Sequence, residues 1–213
     1  MGIPILAIIT APASLLPVVV GLLRYSKLSL SMKVLLVFCI ITSAEIAAEW
    51  VLAFHQINNL FLANTGVGIE VLFIASVYVI ALDVKNVRIV IVVITALFMC
   101  LWVPDRIFLE VPGQINESMA IASRVVISAI SIIALHTVAR RTTGSLTDEA
   151  LFWVTTANIL LSTGDIFVLG FSNELLANGI SYFTAAWDIN WSLDIIAYVL
   201  FSKGFFCKAT TQS

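Results

Sequence analysis

Seven ionisable residues stand inside stretches otherwise made of Leu, Ile, Val, Phe and Ala: Glu45, Glu49, Glu70, Arg124, Asp165, Asp188 and Asp194. An ionised side chain at the middle of a bilayer costs about 2.5–3.5 kcal/mol on insertion scales, so such residues face a bundle interior and pair with each other or serve a function. Six of these residues are carboxylates and one is a guanidinium. One arginine cannot neutralise Glu45, Glu70, Asp165 and Asp194 together, so either some of the four are protonated or a cation occupies the space between them. A set of this kind can bind a cation, hold a polar molecule with a cationic group, or pass protons. Acid–base catalysis by paired carboxylates is a weaker reading of the same residues.

The segments that carry these groups are long. Of the 213 residues, 61% are apolar and only 11% charged, and the mean hydropathy is +1.07. No water-soluble domain of this size has that balance, and the surface must meet lipid. Apolar runs able to cross a bilayer occupy Ile3–Leu23, Lys33–Phe54, Leu62–Leu82, Arg88–Val103, Met119–Ala139, Leu151–Phe171 and Ala185–Phe206. The expected fold is therefore all-α, a polytopic bundle of seven transmembrane helices forming one domain. The first run, with no basic segment before it, reads as a retained helix kinked by Pro12 and Pro17. Turn and polar signals mark the breaks, among them Pro104–Asn116 and Ser172–Ser181. The fourth run is the shortest.

Charge orients the bundle. Arg24, Lys27, Lys33, Lys85, Arg88, Arg140, Arg141, Lys203 and Lys208 fall at one end, against Arg106 and the deeper Arg124 at the other. Basic loops stay in the cytoplasm, which puts the N-terminus outside and the C-terminus inside. Trp102, Tyr182 and Trp187 lie near the outer boundary, where amphipathic rings favour the headgroups. At 1.5 Å per residue, Glu45 lies about 18 Å from Lys33 and Glu70 about 20 Å from Asp83, while Arg124 is about 24 Å from Arg140. The charged set thus occupies the middle and outer half, and the inner half is almost purely apolar.

Helical spacing turns these residues toward one another. Thr42, Glu45 and Glu49 share a face of the second helix, and Arg124, Ser128 and Ser131 a face of the fifth. Thr155, Asn158, Ser162 and Asp165 line the sixth, and Trp187, Trp191, Asp194 and Tyr198 the seventh, while the fourth helix has no such stripe. The converging stripes predict an outward-facing acidic and aromatic pocket. Its candidate ligand-binding residues are Glu45, Glu49, Glu70, Arg124, Asn158, Asp165, Trp187, Asn190, Trp191 and Asp194, with the tryptophans supplying cation–π faces. Individual hydroxyls and Asn158 also read as interhelical glue.

Other chemistries find little support. The two histidines, His55 and His136, stand about a membrane apart, and Cys39, Cys100 and Cys207 match neither a disulfide framework nor metal-ligand spacing. The position where a retinal protein carries its lysine, midway along the seventh helix, is occupied by Asn190 and Asp194. Lys203 reads as a snorkelling anchor. No nucleophile elbow or phosphate-cradling glycine loop is present, and no catalytic residue, cofactor or nucleic-acid partner is expected. Asn116-Glu117-Ser118 fits a glycosylation sequon in an outer loop.

Shifting the chain by 120 residues places Glu45 on Asp165, Glu70 on Asn190 and Tyr78 on Tyr198. That register suggests two three-helix units, 3–82 and 119–206, of the same orientation, joined by a linker helix at 88–103. Two stretches also resemble a family of small bacterial seven-helix membrane proteins of no assigned activity: Leu23–Glu45 with "NNLFLANTGVGIE" at Asn58–Glu70, and "LFWVTTANILLSTGDIFVLGFSN" followed by "WDINWSLDIIAYVLFSKGF". In that family the third helix carries a glutamate like Glu70. Its seventh carries tryptophan, histidine and asparagine where this chain has Trp187, Asn190 and Asp194. The resemblance and the charge asymmetry imply a bacterial inner membrane. In architecture the three-one-three arrangement is similar to the sugar transporters of the SWEET type, whose proline-glutamine motif is absent here.

Three functional classes follow as expectations. The first is a small-solute transporter or binding protein for a cationic or polar solute, with rocking of the two units and proton exchange as a coupling step. The second is a receptor-like sensor or an accessory subunit, working through a membrane-protein partner or a second copy of the chain. The third is an intramembrane enzyme.

Overall fold

The computed structural model describes residues 4–109, 116–178 and 180–207, with the side chains at 172–174, 176–178 and 180–183 outside that description. Among the described residues the chain is all helical apart from its turns, with seven long helices: α1 (Ile5–Leu23), α2 (Leu30–Phe54), α3 (Leu60–Ala81), α4 (Lys85–Leu109), α5 (Glu117–Arg141), α6 (Ala150–Asn178) and α7 (Ile180–Phe206). The first six are long and apolar enough to cross a membrane. The chain is an integral membrane protein. Its outer surface carries large apolar side chains that a water-soluble protein would bury, such as Leu97 at 63% and Leu101 at 65% exposure.

Local chemistry explains the helix ends and the one internal break. α1 is interrupted at Ser14, because Pro17 has no N–H to give the carbonyl one turn back at Ala13. The Ser43 hydroxyl of α2 donates to the Ser14 carbonyl at 3.0 Å and fixes the bend against its neighbour. Ser29 caps α2 by accepting from the Met32 N–H, and Gln56, at φ 58°, closes the turn into α3. Arg140 and Arg141 occupy the last turn of α5, where cations complement the free carbonyls.

Three sequence expectations change at this level. The fourth run, expected to be the shortest, continues past Pro104 through a wider turn at Asp105–Leu109 to 25 residues, and its most apolar 18-residue stretch has a mean hydropathy of 2.4. The break expected over Ser172–Ser181 is helical as far as Asn178 and again from Ile180. Polar composition alone does not stop a helix whose neighbours already support it. Asn116 of the sequon is the cap of α5. Its Oδ1 accepts from the Met119 N–H at 3.2 Å, its Nδ2 donates to Asp105, and its own N–H reaches Asn64 Oδ1 at 3.1 Å. The Tyr182 side chain, Lys208 and residues 110–115 lie outside the described residues.

Helix contacts run in a ring, α1 to α2, α3, α5, α6, α7 and back to α1, with α4 packed outside against α3 and α5. Trp102 of α4 lies against α3 at Gly68, where a methyl group would come within 2.7 Å of the indole. Inside the ring toward the basic end sits a fully buried layer that includes Leu35, Ile74, Tyr78, Ala134 and Val154. The polar stripes open above it.

Candidate ligand-binding cavity

Arg124 on α5 is the centre of the polar half. Its guanidinium bridges two helices: Nη1 donates to Glu70 Oε2 on α3, and Nε lies 2.6 Å from Asp165 Oδ2 on α6. The Nε–H is not aimed along that second line, so the contact with Asp165 is an ion pair rather than an aligned hydrogen bond. Each partner's side chain is less than about one-fifth exposed. In that environment a guanidinium flanked by two carboxylates holds its charge, and the pair of acids holds it in place.

Around this triad lies a cavity of about 250 Å³. Glu45 and Glu49 enter from α2, Glu70 from α3, Arg124 from α5, Asn158 and Asp165 from α6, and Asp194 from α7. Seven of the ten residues expected from the sequence therefore line one space. Glu45 is seated over the α3 backbone at Gly66, where a β-carbon would collide with its carboxylate. Glu45 lies in the field of Glu49, Glu70 and Arg124. Asp194 lies instead in that of Asp165, Arg124 and Glu70. Both acids therefore share the Arg124–Glu70 pair as a neighbour.

Five carboxylates face one cation. Among the described residues Glu45, Glu49 and Asp194 have no cationic group within ion-pair distance. They do not converge on a point either: no group of three or more His, Cys, Asp or Glu among the described residues is placed to hold a metal ion.

Trp187, Asn190 and Trp191 fall elsewhere. The two indoles pack on each other with centroids 6.1 Å apart, and the Trp191 carbonyl lies 3.4 Å from the Thr10 hydroxyl of α1. Asn190, only 8% exposed, sits against α6 near Gly164, and its Oδ1 has no hydrogen-bond partner. The aromatic wall of the cavity is made by Phe38, Tyr198 and Phe201. Of these, only Tyr198 lies on a polar stripe read from the sequence.

Beneath the cavity Asn158, Tyr78 and Ser131 are linked, whereas the buried Ser128 hydroxyl has no partner. Asn158 Nδ2 donates to the Tyr78 hydroxyl at 2.8 Å, and that hydroxyl shares a second bond of 2.8 Å with Ser131. Three helices meet there. Many of the other stripe hydroxyls turn back to their own helix, as Thr155 does to the Leu151 and Phe152 carbonyls. Those are structural in the plain sense. Ser162, at 1% exposure one turn from Asp165, has no partner for its hydroxyl.

No family model, no curated protein and no solved structure matches this chain.

Proposed function

We propose that the protein binds, and carries across the membrane, a small organic cation or a polar solute with a cationic group. The observation that carries this reading is the cavity of about 250 Å³ in which five carboxylates from α2, α3, α6 and α7 surround the single guanidinium of Arg124. Two of the acids are occupied by Arg124, and the rest are left for a ligand. Ammonium groups would meet Glu45 and Glu49 on one side and Asp194 on the other, with methylenes along Phe38, Leu161 and Phe201. Tyr198 offers a ring face for a cation.

In this reading all seven helices cross the bilayer, the N-terminus is outside, and the basic end faces the cytoplasm of a bacterial cell, as the basic loops imply. α7 has the length for it: 27 residues rise about 40 Å, more than the roughly 30 Å hydrocarbon core. The two-unit repeat fits the same picture. A two-fold axis exchanging α1–α3 with α5–α7 would map the α3–α5 contact onto the α7–α1 contact, and both close the ring. The likeness to small bacterial seven-helix proteins, and the fold-level analogy to three-one-three transporters, point the same way.

The test is flux. Proteoliposomes containing the purified chain are loaded and assayed with a panel of radiolabelled primary amines and quaternary ammonium ions, with neutral sugars as controls. Uptake of at least one cation, lost in the Glu45→Gln plus Asp194→Asn variant, is the expected result. Equal uptake by that variant would remove the site assignment.

A further inference from the structure

A second and larger cavity, about 410 Å³, lies at the basic end of the ring. It is bounded by the first turn of α2 at Ser29–Met32, the end of α3 at Ile80–Asp83, the end of α5 around Arg141, and the start of α6 at Glu149–Leu151. Nothing in the acidic cavity accounts for it. Yet the same four helices, α2, α3, α5 and α6, line both spaces. Along α3, Glu70 and Ile80 are about 15 Å apart, and along α6, Asn158 and Leu151 about 10 Å apart. Two cavities on one axis are separated by roughly two to three helical turns.

What separates them is a single dry layer. Each of the four helices contributes at least one residue of zero exposure to it, among them Leu35, Tyr78, Ala134 and Val154. Tyr78 is the largest of these, and its hydroxyl is tied to Ser131 on α5 and to Asn158 on α6. Asn158 is also part of the floor of the acidic cavity. Whatever moves Asn158 therefore pulls on the ring that fills the layer. Hydrogen bonds between membrane helices are individually weak, so a tie of this kind holds a ring in place without making the closed state permanent.

We propose that the two cavities are the two ends of one path through the ring, and that the Tyr78 layer is the gate between them. The cavity at the basic end is then the vestibule through which a solute leaves or enters on that side. The cavity floor, through Asn158, reports the state of the acidic site to the gate. This extends the transport reading, but it stands on the cavities and the buried layer and not on the acids. A receptor or accessory subunit would need only the upper space.

Accessibility of engineered cysteines tests it without knowledge of the solute. Cys39, Cys100 and Cys207 are replaced by alanine, and Thr42→Cys in the acidic cavity or Ala81→Cys in the basic-end cavity is introduced singly. Right-side-out and inverted membrane vesicles are then treated with a membrane-impermeant trimethylammonium methanethiosulfonate. With Tyr78 intact, Ala81→Cys should react from the basic side and Thr42→Cys from the opposite side. Adding Tyr78→Ala should raise the rate at Thr42→Cys from the basic side by about tenfold or more, as the closed population falls. Tyr78→Phe, which keeps the ring and drops only the hydroxyl, should raise it about threefold and covers the case in which the alanine variant does not fold. Reaction at Thr42→Cys that stays one-sided in both variants would overturn the gate. An Ala81→Cys that stays unreactive from the basic side would overturn the vestibule. Loss of flux in the Glu45→Gln plus Asp194→Asn variant bears on the acids alone, so the two proposals fail separately.

Discussion

At the end that holds the carboxylates, α2, α3, α5, α6 and α7 surround a space with five acids and one arginine. About two turns nearer the basic end, α2, α3, α5 and α6 present Leu35, Tyr78, Ala134 and Val154, all sealed from solvent. The layer is built so that each polar group it contains is matched: the Tyr78 hydroxyl has two partners and Asn158 reaches it. The cavity is built the other way, with Glu45, Glu49 and Asp194 unmatched by any cationic group among the described residues. A bundle needing only internal glue would look like the layer throughout, since an unmatched charge within a membrane carries a standing cost. The imbalance in the cavity is the feature on which the proposed ligand rests, and the layer is packed by the same helices without one.

Substitutions can separate the two regions by the size and kind of their effects. Removing the shared cation by Arg124→Ala leaves Glu70 and Asp165 facing each other, and should cost about 3–5 kcal/mol, because breaking a largely buried pair strands its partners. Unfolding in mixed detergent measures it. Adding Glu70→Gln and Asp165→Asn to that variant should restore more than half of the loss, since the stranded charges are then gone. In the layer, Leu35→Ala opens space in a site of zero exposure and should cost about 2–3 kcal/mol, with no rescue by acid-to-amide changes. Gly66→Ala pushes the Glu45 carboxylate off its seat. Its stability cost should stay near 1 kcal/mol, but affinity for a cationic ligand should fall about tenfold, and that fall should vanish in a Glu45→Gln background. The smallest effect is expected for Leu97→Ala on the outward face of α4, within about 0.5 kcal/mol.

Much of this arrangement was legible in the residues. Polar positions spaced at three and four along an apolar helix must face inward, and that rule alone puts Glu45 and Glu49, Arg124, and Asn158 with Asp165 on the interior faces of their helices. The same rule says nothing about which neighbour a face meets. Trp187 and Trp191 share a stripe with Asp194, yet a helix turns 100° per residue, and the stripe is wide enough for the two indoles to pack on each other, with the Trp191 carbonyl against Thr10 of α1, while Asp194 faces the cavity. Phe38 and Phe201 gave no signal because an aromatic residue suits lipid as well as a cavity wall. Tyr78 did give one, since the 120-residue register sets it on Tyr198. The structure sets the one residue in the buried layer and the other on the cavity wall. Helix ends were read least well. The polar run after Phe171 and the stretch from Pro104 look like loops in isolation, yet the described backbone stays helical as far as Asn178 and Leu109.

Ligand-induced stabilisation of the detergent-solubilised protein tests the central claim most directly. A ligand at about 100 times its dissociation constant stabilises the folded state by about 2.7 kcal/mol, a readily measured rise in melting temperature. The wild-type chain is heated with aliphatic monoamines, diamines, quaternary ammonium ions and uncharged polyols, beside the Glu45→Gln plus Asp194→Asn variant. The account predicts that at least one organic cation raises the melting temperature of the wild type and leaves the variant unchanged, with polyols acting on neither. Equal stabilisation of both chains by the same cation, or no response of the wild type to any of them, would contradict it.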